Sequence, residues 1–217
     1  SKVKGIMLKD LYDNFYIKKN LASFIFGLGF IVLTAGLVHT QYSFILYVEL
    51  IATILGSFAL EAASEQDEKA SFDKLQITFP VTKSEIVIAK YLLALIFLAA
   101  SNLLSLIFTM FHVFAWNTAT FVQGVQIWCT GIAISVAFTA VSYVMFFLFG
   151  KKVATVLYVI IAVFITSIYA ASSVIIGLDD FIAANKTALL CISIPAAFLL
   201  FGLSCLISIQ IYKKRHS

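Results

Sequence analysis

Proline, cysteine and charged residues are scarce in this chain of 217 residues. It contains two prolines, three cysteines and 12% charged residues, whereas 62% of its residues are hydrophobic. So few charges cannot cover the surface of a soluble domain of this length, and the mean hydropathy of +1.03 excludes that class as well. The composition therefore indicates an integral membrane protein.

The cysteines lack the spacing of a metal site, and the basic residues lack the clustering of a nucleic-acid-binding surface. Cys129, Cys191 and Cys205 each lie in an apolar run without metal-ligand spacing, so we interpret them as small core residues. The net charge of +4 is not concentrated in a basic patch interleaved with aromatic residues, so nucleic acid is not an expected partner. The basic residues flank apolar runs instead, which makes membrane lipids the expected contact.

Sequence motifs for catalysis are missing too. The only Gly-Lys pair, Gly150 and Lys151, does not belong to a G-x-x-x-x-G-K-[ST] phosphate loop, so we expect no ATP site in this chain. Ser204 follows Gly202 as in an intramembrane serine protease, but Cys205 stands where such a protease has a second glycine. No His, Cys, Asp or Glu residues have metal-ligand spacing. We therefore expect no enzymatic activity, metal or cofactor in the chain itself.

Long apolar runs are what the chain has in abundance. A helix needs about 20 apolar residues to cross a bilayer. Six runs qualify, at 21–39, 42–63, 86–114, 125–149, 153–177 and 188–211. The expected fold is all-α, a polytopic membrane protein whose domain of six transmembrane helices covers residues 21–217.

Basic residues predict the orientation of these six spans. An even number of spans places both termini on one side, and all fifteen Lys and Arg residues except Lys186 fall on that same side. By the positive-inside rule this side is cytoplasmic. An incorrect number of spans would have scattered the basic residues over both sides.

Residues 1–20 precede the first span and follow a helical pattern. Apolar residues recur at the spacing of one helical face, and polar residues take the opposite face. The apolar residues are Met7, Leu8, Leu11, Tyr12, Phe15 and Tyr16, and the polar ones are Lys9, Asp10, Asp13 and Asn14. The pattern predicts an amphipathic helix in the membrane interface. The alternative, a helix packed on a soluble domain, has no soluble domain in this chain to pack on.

One polar segment, residues 64–85, joins spans 2 and 3 and contains a cluster of charges. Residues 66–76 contain no Gly or Pro, so we predict a short helix there, which ends before Pro80. Thr82 and Glu85 form a capping-box pattern, which predicts that span 3 begins within a residue or two of Ser84.

A short polar helix with a few apolar residues is typical of a contact with a cytoplasmic partner. Phe72 and Leu75 are the apolar residues of this helix. The alternative is a solvated loop that rests on lipid headgroups.

Residues 75–96, "LQITFPVTKSEIVIAKYLLALI", resemble a pattern in small bacterial permeases of the ABC-2 type. In that family a Leu-Pro-Val-Thr/Ser-Lys/Arg segment is followed by an Ile/Val-Val-x-x-Lys-Tyr run that enters the third span. The amphipathic start, the six spans, the loop after span 2 and the short basic C-terminus are similar as well. Within the family the chain most resembles membrane subunits that export staphylococcal phenol-soluble modulins, which are amphipathic cytolytic peptides.

The resemblance implies a permease subunit of an ATP-binding cassette exporter in a bacterial plasma membrane. Such a subunit dimerises with a second permease subunit, identical or different, while two separate ATPase subunits bind ATP and Mg. The implied substrate is an amphipathic peptide, cytolytic or antimicrobial, taken from the inner leaflet or the cytoplasm. The coupling helix that contacts the ATPase maps onto 65–75, with Glu65, Glu68, Phe72 and Leu75 as contact residues.

Polar residues within two spans are the expected pathway or dimer interface. In span 2 they are Glu49 and Thr53, with Gly56 on the same stripe, and in span 5 the longest polar stripe includes Tyr158, Thr166 and Tyr169. The resemblance implies that spans 2 and 5 line the pathway and the dimer interface. Ordinary helix packing is the alternative, and Glu49 is either neutral, hydrogen-bonded across an interface or exposed to a water-filled path.

One departure from the family and one rival function stay open. Family members often have a larger portion between spans 5 and 6, where this chain has only "LDDFIAANKT" (178–187), so the outer gate is not defined. The rival is a membrane-bound immunity or scaffold protein that does not use ATP.

The predicted topology can be tested by cysteine labelling. In a variant whose native cysteines are replaced by alanine, we expect Asn117→Cys and Asp180→Cys to react with a membrane-impermeant thiol reagent in intact cells. Ser71→Cys should not react, because residue 71 belongs to the cytoplasmic loop. Labelling of Ser71→Cys in intact cells, with Ser71→Cys in opened cells as the control, would overturn the topology.

Overall fold

The computed structural model describes most of the chain, and no strand occurs among the residues that it describes. Those residues are 2–38, 40, 43–49, 51, 53, 81–150, 185–215 and eight single positions between 153 and 171. The predicted coupling helix and most of span 5 lie outside the described residues, so the predictions for them stay predictions.

The described residues form helices, which we number in chain order. They are α1 (Lys2–Phe15), α2 (Lys18–Leu37), α3 (43–49), α4 (Lys83–Met110), α5 (Phe121–Phe149) and α6 (Lys186–Arg215). Within the described part of the chain, three helices are long and apolar enough to cross a membrane, namely Lys83–Ala115, Phe121–Phe149 and Lys186–Lys214. They correspond to the predicted spans 3, 4 and 6. The all-α class is confirmed for these residues, and the number of six spans stays a prediction.

The beginning of α4 follows from its predicted capping box. The Thr82 hydroxyl accepts from the Glu85 backbone N–H at 3.3 Å, and the Glu85 carboxylate accepts from the Thr82 backbone N–H at 2.7 Å. Two backbone groups that have no partner within the helix are thereby satisfied. The helix begins at Lys83, one residue before Ser84, so the prediction is confirmed.

The opposite end of α4 widens into a π-helix, Phe111–Ala115, which the sequence did not predict. Residues 116–120 connect it to α5, and within this connection Asn117 has a φ of 51°, a conformation that asparagine tolerates better than most residues. Thr120 and Gln123 form a second capping box, so α5 begins at Phe121. Its S/T-x-x-E/Q pattern was visible in the sequence.

Helix α4 runs antiparallel to α5 and α6, which run parallel to each other. The Tyr91 ring, near the start of α4, lies 5.0 Å from the Tyr143 ring near the end of α5. The ring of Phe147 on α5 lies 5.9 Å from that of Tyr212 on α6. The start of α4 and the ends of α5 and α6 therefore meet at one end of the bundle, which we call the basic end because it carries lysines of α4 and α6.

Gly124 of α5 allows close helix packing, and Gly131 lies against α3. A Cβ atom at Gly124 would lie 2.6 Å from Val113 Cγ2, and one at Gly131 would lie 3.4 Å from the Val48 carbonyl oxygen. Small residues are the usual means by which membrane helices approach one another, because lipid provides no hydrophobic force between them. Gly124 thus sets the distance between α5 and the end of α4 with its π-helix, where Thr109 Cγ2 would also lie 3.2 Å from the added atom, whereas an alanine at position 131 would make only ordinary contact with α3.

Helix α1 packs along the first turns of α4 with Leu11 and Phe15 of its apolar face, and two residues of its polar face are buried as well. Asp10 and Asn14, assigned to the polar face, are 1% and 0% exposed. Leu8, Tyr12 and Tyr16, assigned to the apolar face, are largely exposed. The exposure of the three apolar residues agrees with a helix at a membrane surface, whereas the burial of Asp10 and Asn14 was not predicted. A polarity pattern does not reveal a buried partner, and Asp10 has one in Lys90.

The exposed apolar residues of α1 fit a helix in the membrane interface. Tyr12 and Tyr16 stack with ring centroids 4.6 Å apart, on the side of α1 that faces away from α4. Tyrosines with one apolar and one polar end are common at the boundary between lipid and water. Helix α1 therefore presents one apolar strip to the bundle and offers a second one to lipid.

Candidate functional site

Most of the predicted site residues lie outside the described residues. They are Glu65, Glu68, Phe72 and Leu75 of the coupling helix, and Gly56, Tyr158, Thr166 and Tyr169 of spans 2 and 5. Glu49 and Thr53 are described, and they belong to the same helical region. The site is therefore built from these two residues and from the buried polar groups that surround α4.

Glu49 is half-buried at the end of α3. Its backbone carbonyl accepts a hydrogen bond of 2.8 Å from the Thr53 hydroxyl, so that hydroxyl is satisfied within its own helical segment. Lys186, at the start of α6, lies close enough to Glu49 for the opposite charges to attract each other. Lys186 is the one lysine predicted outside the cytoplasm, and Glu49 is the one carboxylate predicted well inside a span. The structure places these two residues near each other.

A layer of neutral polar groups connects α3, α4 and α5 in the second half of α4. The Ser105 hydroxyl donates to the Val48 carbonyl at 3.2 Å, and the Asn102 amide donates to the Ser135 hydroxyl at 3.4 Å. The Trp128 indole N–H donates to the Asn102 backbone carbonyl at 2.9 Å. These polar residues of spans 3 and 4 face other helices, as packing residues do.

At the end opposite to the basic end, His112 lies in the π-helix and is fully buried. Its ring stacks on Phe44 of α3 with centroids 4.6 Å apart and meets Trp116 edge-on. Its Nδ1 lies 2.8 Å from the Thr118 hydroxyl, which also donates to the His112 backbone carbonyl. This aromatic cluster holds the α4–α5 connection against α3.

At the basic end, a chain of hydroxyl groups connects α4, α5 and α6. Tyr91 Oη lies 2.5 Å from Ser204 Oγ and 2.8 Å from Ser208 Oγ, and Ser204 Oγ donates to the Ala140 carbonyl at 2.6 Å. Each hydroxyl has one proton. Since Ser204 gives its proton to Ala140, Tyr91 donates to Ser204 and accepts from Ser208. The direction of every bond in the chain follows from this count.

An ion pair between α1 and α4 lies next to this chain. Lys90 Nζ is 3.4 Å from one carboxylate oxygen of Asp10, and Lys9 Nζ is 3.4 Å from the other. The side chains of Asp10 and Lys90 are 1% and 8% exposed, whereas that of Lys9 is 26% exposed. The pair to Lys90 is thus shielded from solvent, and removal of one partner would leave a buried charge. Tyr143 lies within electrostatic range of both Lys90 and Asp10.

A groove of about 560 Å³ opens between the first turns of α5 and α6. It is lined almost entirely by apolar side chains, with Gln126 and Thr187 as the uncharged polar residues on its wall. Pro195 forms part of the same wall and interrupts the backbone hydrogen bonding of α6. An apolar wall of this kind is compatible with lipid chains.

Nothing in these clusters has the composition of a catalytic centre. Within the described part of the chain, no group of three or more His, Cys, Asp or Glu residues could hold a metal ion. Ser204, the one serine with a protease-like sequence context, gives its proton to a backbone carbonyl instead of a base. The clusters join helices, and their chemistry is that of hydrogen bonds and one ion pair.

Comparison with known protein families identifies the family of this chain. A model described as "ABC-2 family transporter protein" matches residues 5–213, which is nearly the whole chain. The chain belongs to the ABC-2 transporter family. No curated protein and no solved structure gives a significant match. An ABC-2 protein is the membrane component of a transporter and is not itself catalytic, and the family implies partnership with ABC-type ATPase subunits.

The structure shows what two residues of the motif in 75–96, by which the sequence resembles ABC-2 permeases, contact. Lys90 and Tyr91 are its Lys-Tyr pair, and they form the ion pair to α1 and the hydroxyl chain to α6. Sequence reasoning assigned neither residue a role. The spacing of Ser204 and Ser208, one helical turn apart, was the other available signal, since it places both hydroxyls on one face of α6.

The hydroxyl chain predicts a modest loss of stability for Tyr91→Phe. Ring packing is retained and two hydrogen bonds are lost, but Ser208 can donate to its own helix backbone, so we expect the free energy of unfolding to fall by about 1 kcal/mol. Thermal unfolding of the purified protein in detergent measures the change. Tyr16→Phe is the control, because Tyr16 is 73% exposed. Equal melting temperatures for the two variants would contradict the prediction.

Proposed function

We propose that the chain is the permease subunit of an ATP-driven exporter whose substrates are amphipathic peptides, cytolytic or antimicrobial, of the phenol-soluble modulin kind. The observation that carries the transporter part is the family match over residues 5–213. The substrate class rests on the resemblance of residues 75–96 and on the physical features below. ATP and Mg would be bound by two partner ATPase subunits, and a second permease subunit, identical or different, would complete the exporter.

The distribution of charge supports an orientation with both termini in the cytoplasm, and the bacterial plasma membrane rests on the resemblance of residues 75–96. Lys83 and Lys90 of α4 lie at the same end of the bundle as Lys213 and Lys214 of α6, while Lys186 lies at the opposite end. Cytoplasmic ends of membrane proteins are enriched in lysine and arginine. The basic end is therefore the cytoplasmic side in this proposal, and it is the side from which ATPases act.

The placement of α4 supports coupling through residues 65–75. Helix α4 begins at Lys83, a few residues after that segment, and its first turn is held by the capping box of Thr82 and Glu85. The capping box stabilises this first turn, so a push on the preceding segment would reach the helix without first unwinding it. ATPase closure at 65–75 would therefore displace the whole of α4, together with the helices that contact it.

An amphipathic substrate fits the shape of the described part. The α4–α5 connection has only five residues, 116–120, so it adds little to a chamber outside the membrane. Leu8 and Tyr12 of α1, with Tyr16 just after it, form an exposed apolar strip near the basic end, which suits a helix that lies in the membrane interface. A peptide that lies in the inner leaflet would meet this strip first, so lateral entry from the leaflet needs no large water-filled cavity.

The coupling helix gives the experiment that tests the proposal. We expect Phe72→Ala combined with Leu75→Ala to abolish recovery of an ATPase with the tagged permease, because buried apolar anchors carry most of the energy of such contacts, about 2–4 kcal/mol each. A pull-down from detergent-solubilised membranes measures the recovery. Glu68→Gln is the matched control, since an exposed charge contributes about 0–1 kcal/mol.

Each outcome of the pull-down has a distinct meaning. Wild-type protein without any ATPase would overturn the exporter and favour the scaffold or immunity protein that does not use ATP. Full recovery with the double alanine variant would show that 65–75 is a solvated loop. Loss of recovery with Glu68→Gln alone, at moderate salt, would show that charge rather than apolar contact holds the ATPase.

Glu49 gives a separate test of the transport pathway. We expect Glu49→Gln to reduce peptide export or peptide-stimulated ATP hydrolysis while the protein still folds, because the amide keeps the shape and removes only the negative charge and its attraction to Lys186. If Glu49 only packs, the glutamine variant should be silent or slightly more stable, since an amide costs less to bury than a carboxylate. Unchanged export would remove Glu49 from the pathway.

A further inference from the structure

We propose that Lys90 and Tyr91 form a transmission junction at the start of α4. Lys90 passes a movement of α4 to α1 through Asp10, and Tyr91 passes it to α6 through Ser204 and Ser208. The junction rests on the proposed function, in which force reaches α4 from the segment that precedes it. Lys90 and Tyr91 belong neither to the proposed transport pathway nor to the coupling helix, and the junction gives them a role.

The two residues are neighbours in sequence but contact different helices. Successive residues of an α-helix project about 100° apart around its axis, so Lys90 and Tyr91 necessarily face different neighbours. Lys90 Nζ lies 3.4 Å from Asp10 on α1, and Tyr91 Oη lies 2.8 Å from Ser208 on α6. One dipeptide thus connects α4 to two elements that are distant from each other in the sequence.

The contacts of the junction are directional, which suits them for transmission. Apolar contacts are non-directional, so they do not by themselves fix which atoms of two helices stay opposite each other. A buried ion pair and a chain of three hydrogen bonds hold their atoms at fixed distances, because an unpaired polar group in this environment is costly. The chain ends on the Ala140 carbonyl, so α5 moves with α4 and α6.

Both contacts lie near the end of the bundle where force is applied. Lys90 is seven residues after Lys83, or about 10 Å along α4. Leu93 and Phe97, on the next turns, pack against Leu11 and Phe15 of α1, so the ion pair stands at the edge of an apolar contact. Helix α1 is therefore held to α4 by an apolar strip and set in register by the Asp10–Lys90 pair.

Lys90→Met tests the α1 branch, with Lys9→Met as its matched control. Both lysines lie 3.4 Å from Asp10, but only Lys90 is shielded from solvent. The variants are reconstituted in nanodiscs with the ATPase recovered by the wild type, and hydrolysis is measured with a synthetic Leu/Lys amphipathic helix of about 20 residues. We expect Lys90→Met to retain ATPase binding and basal hydrolysis and to lose peptide stimulation by about ten-fold, within the range of coupling between distant sites. Lys9→Met should retain all three properties.

A double variant separates transmission from stability. Asp10→Leu combined with Lys90→Met replaces the buried pair by apolar groups, a change that is often neutral or stabilising. If the pair only stabilises the fold, the double variant should recover both melting temperature and peptide stimulation. The junction predicts that the melting temperature recovers and that stimulation stays about ten-fold low, because α1 is no longer set in register. Recovery of stimulation would overturn the junction.

Hydrogen exchange of the purified permease tests both branches without the ATPase. We expect Lys90→Met to increase amide exchange in α1, and Tyr91→Phe to increase it in α6 around Ser204, with Tyr16→Phe as the unaffected control. Unchanged exchange in α1 and α6 would overturn the junction. If the wild type recovers no ATPase, the proposed function fails by itself, and the exchange data then decide whether the junction links the helices.

Discussion

Inside a membrane, a polar group must find its partner within the protein, because lipid offers neither hydrogen bonds nor a hydrophobic force between helices. This constraint accounts for the arrangement of the described helices. Each pair of neighbouring helices that meets around α4 is joined by close contact at a small residue, by a polar bond, or by both. The many large apolar side chains exposed on α2 and α6 cost nothing in lipid, so the bundle does not need to bury them.

Helix α4 is the element on which the other described helices depend. It contacts α1 through the Asp10–Lys90 pair, α3 through Ser105, and α5 and α6 through Tyr91. Its beginning is fixed by a capping box and its far end by the aromatic cluster around His112. A displacement of α4 would therefore act directly on α1, α3, α5 and α6, which suits a transporter in which movement starts at one helix.

The sequence predicted helices well and partners poorly, for physical reasons. Apolar run length decides whether a helix spans the bilayer, and the Thr82–Glu85 spacing decides where α4 begins, so both are local properties. The burial of Asp10 is not local, because it depends on Lys90, eighty positions further along the chain. The π-helix at the end of α4 has no simple sequence signal, whereas the capping box at Thr120 had one. For the candidate site, polarity indicated Glu49 and Thr53 but could not indicate which helix each residue faces.

The type of polar contact along α4 changes with depth, as the cost of burying charge requires. Lys90 lies about 10 Å from the start of the helix, and it forms an ion pair with Asp10. Asn102 lies about 18 Å further along, and its contacts, like those of Ser105, involve only neutral groups. A second ion pair at that depth would have to repay a larger desolvation cost than hydroxyl and amide groups incur. The ion pair therefore lies near the basic end of α4, and the contacts further along the helix are made by neutral groups, which are cheaper to bury and to rearrange.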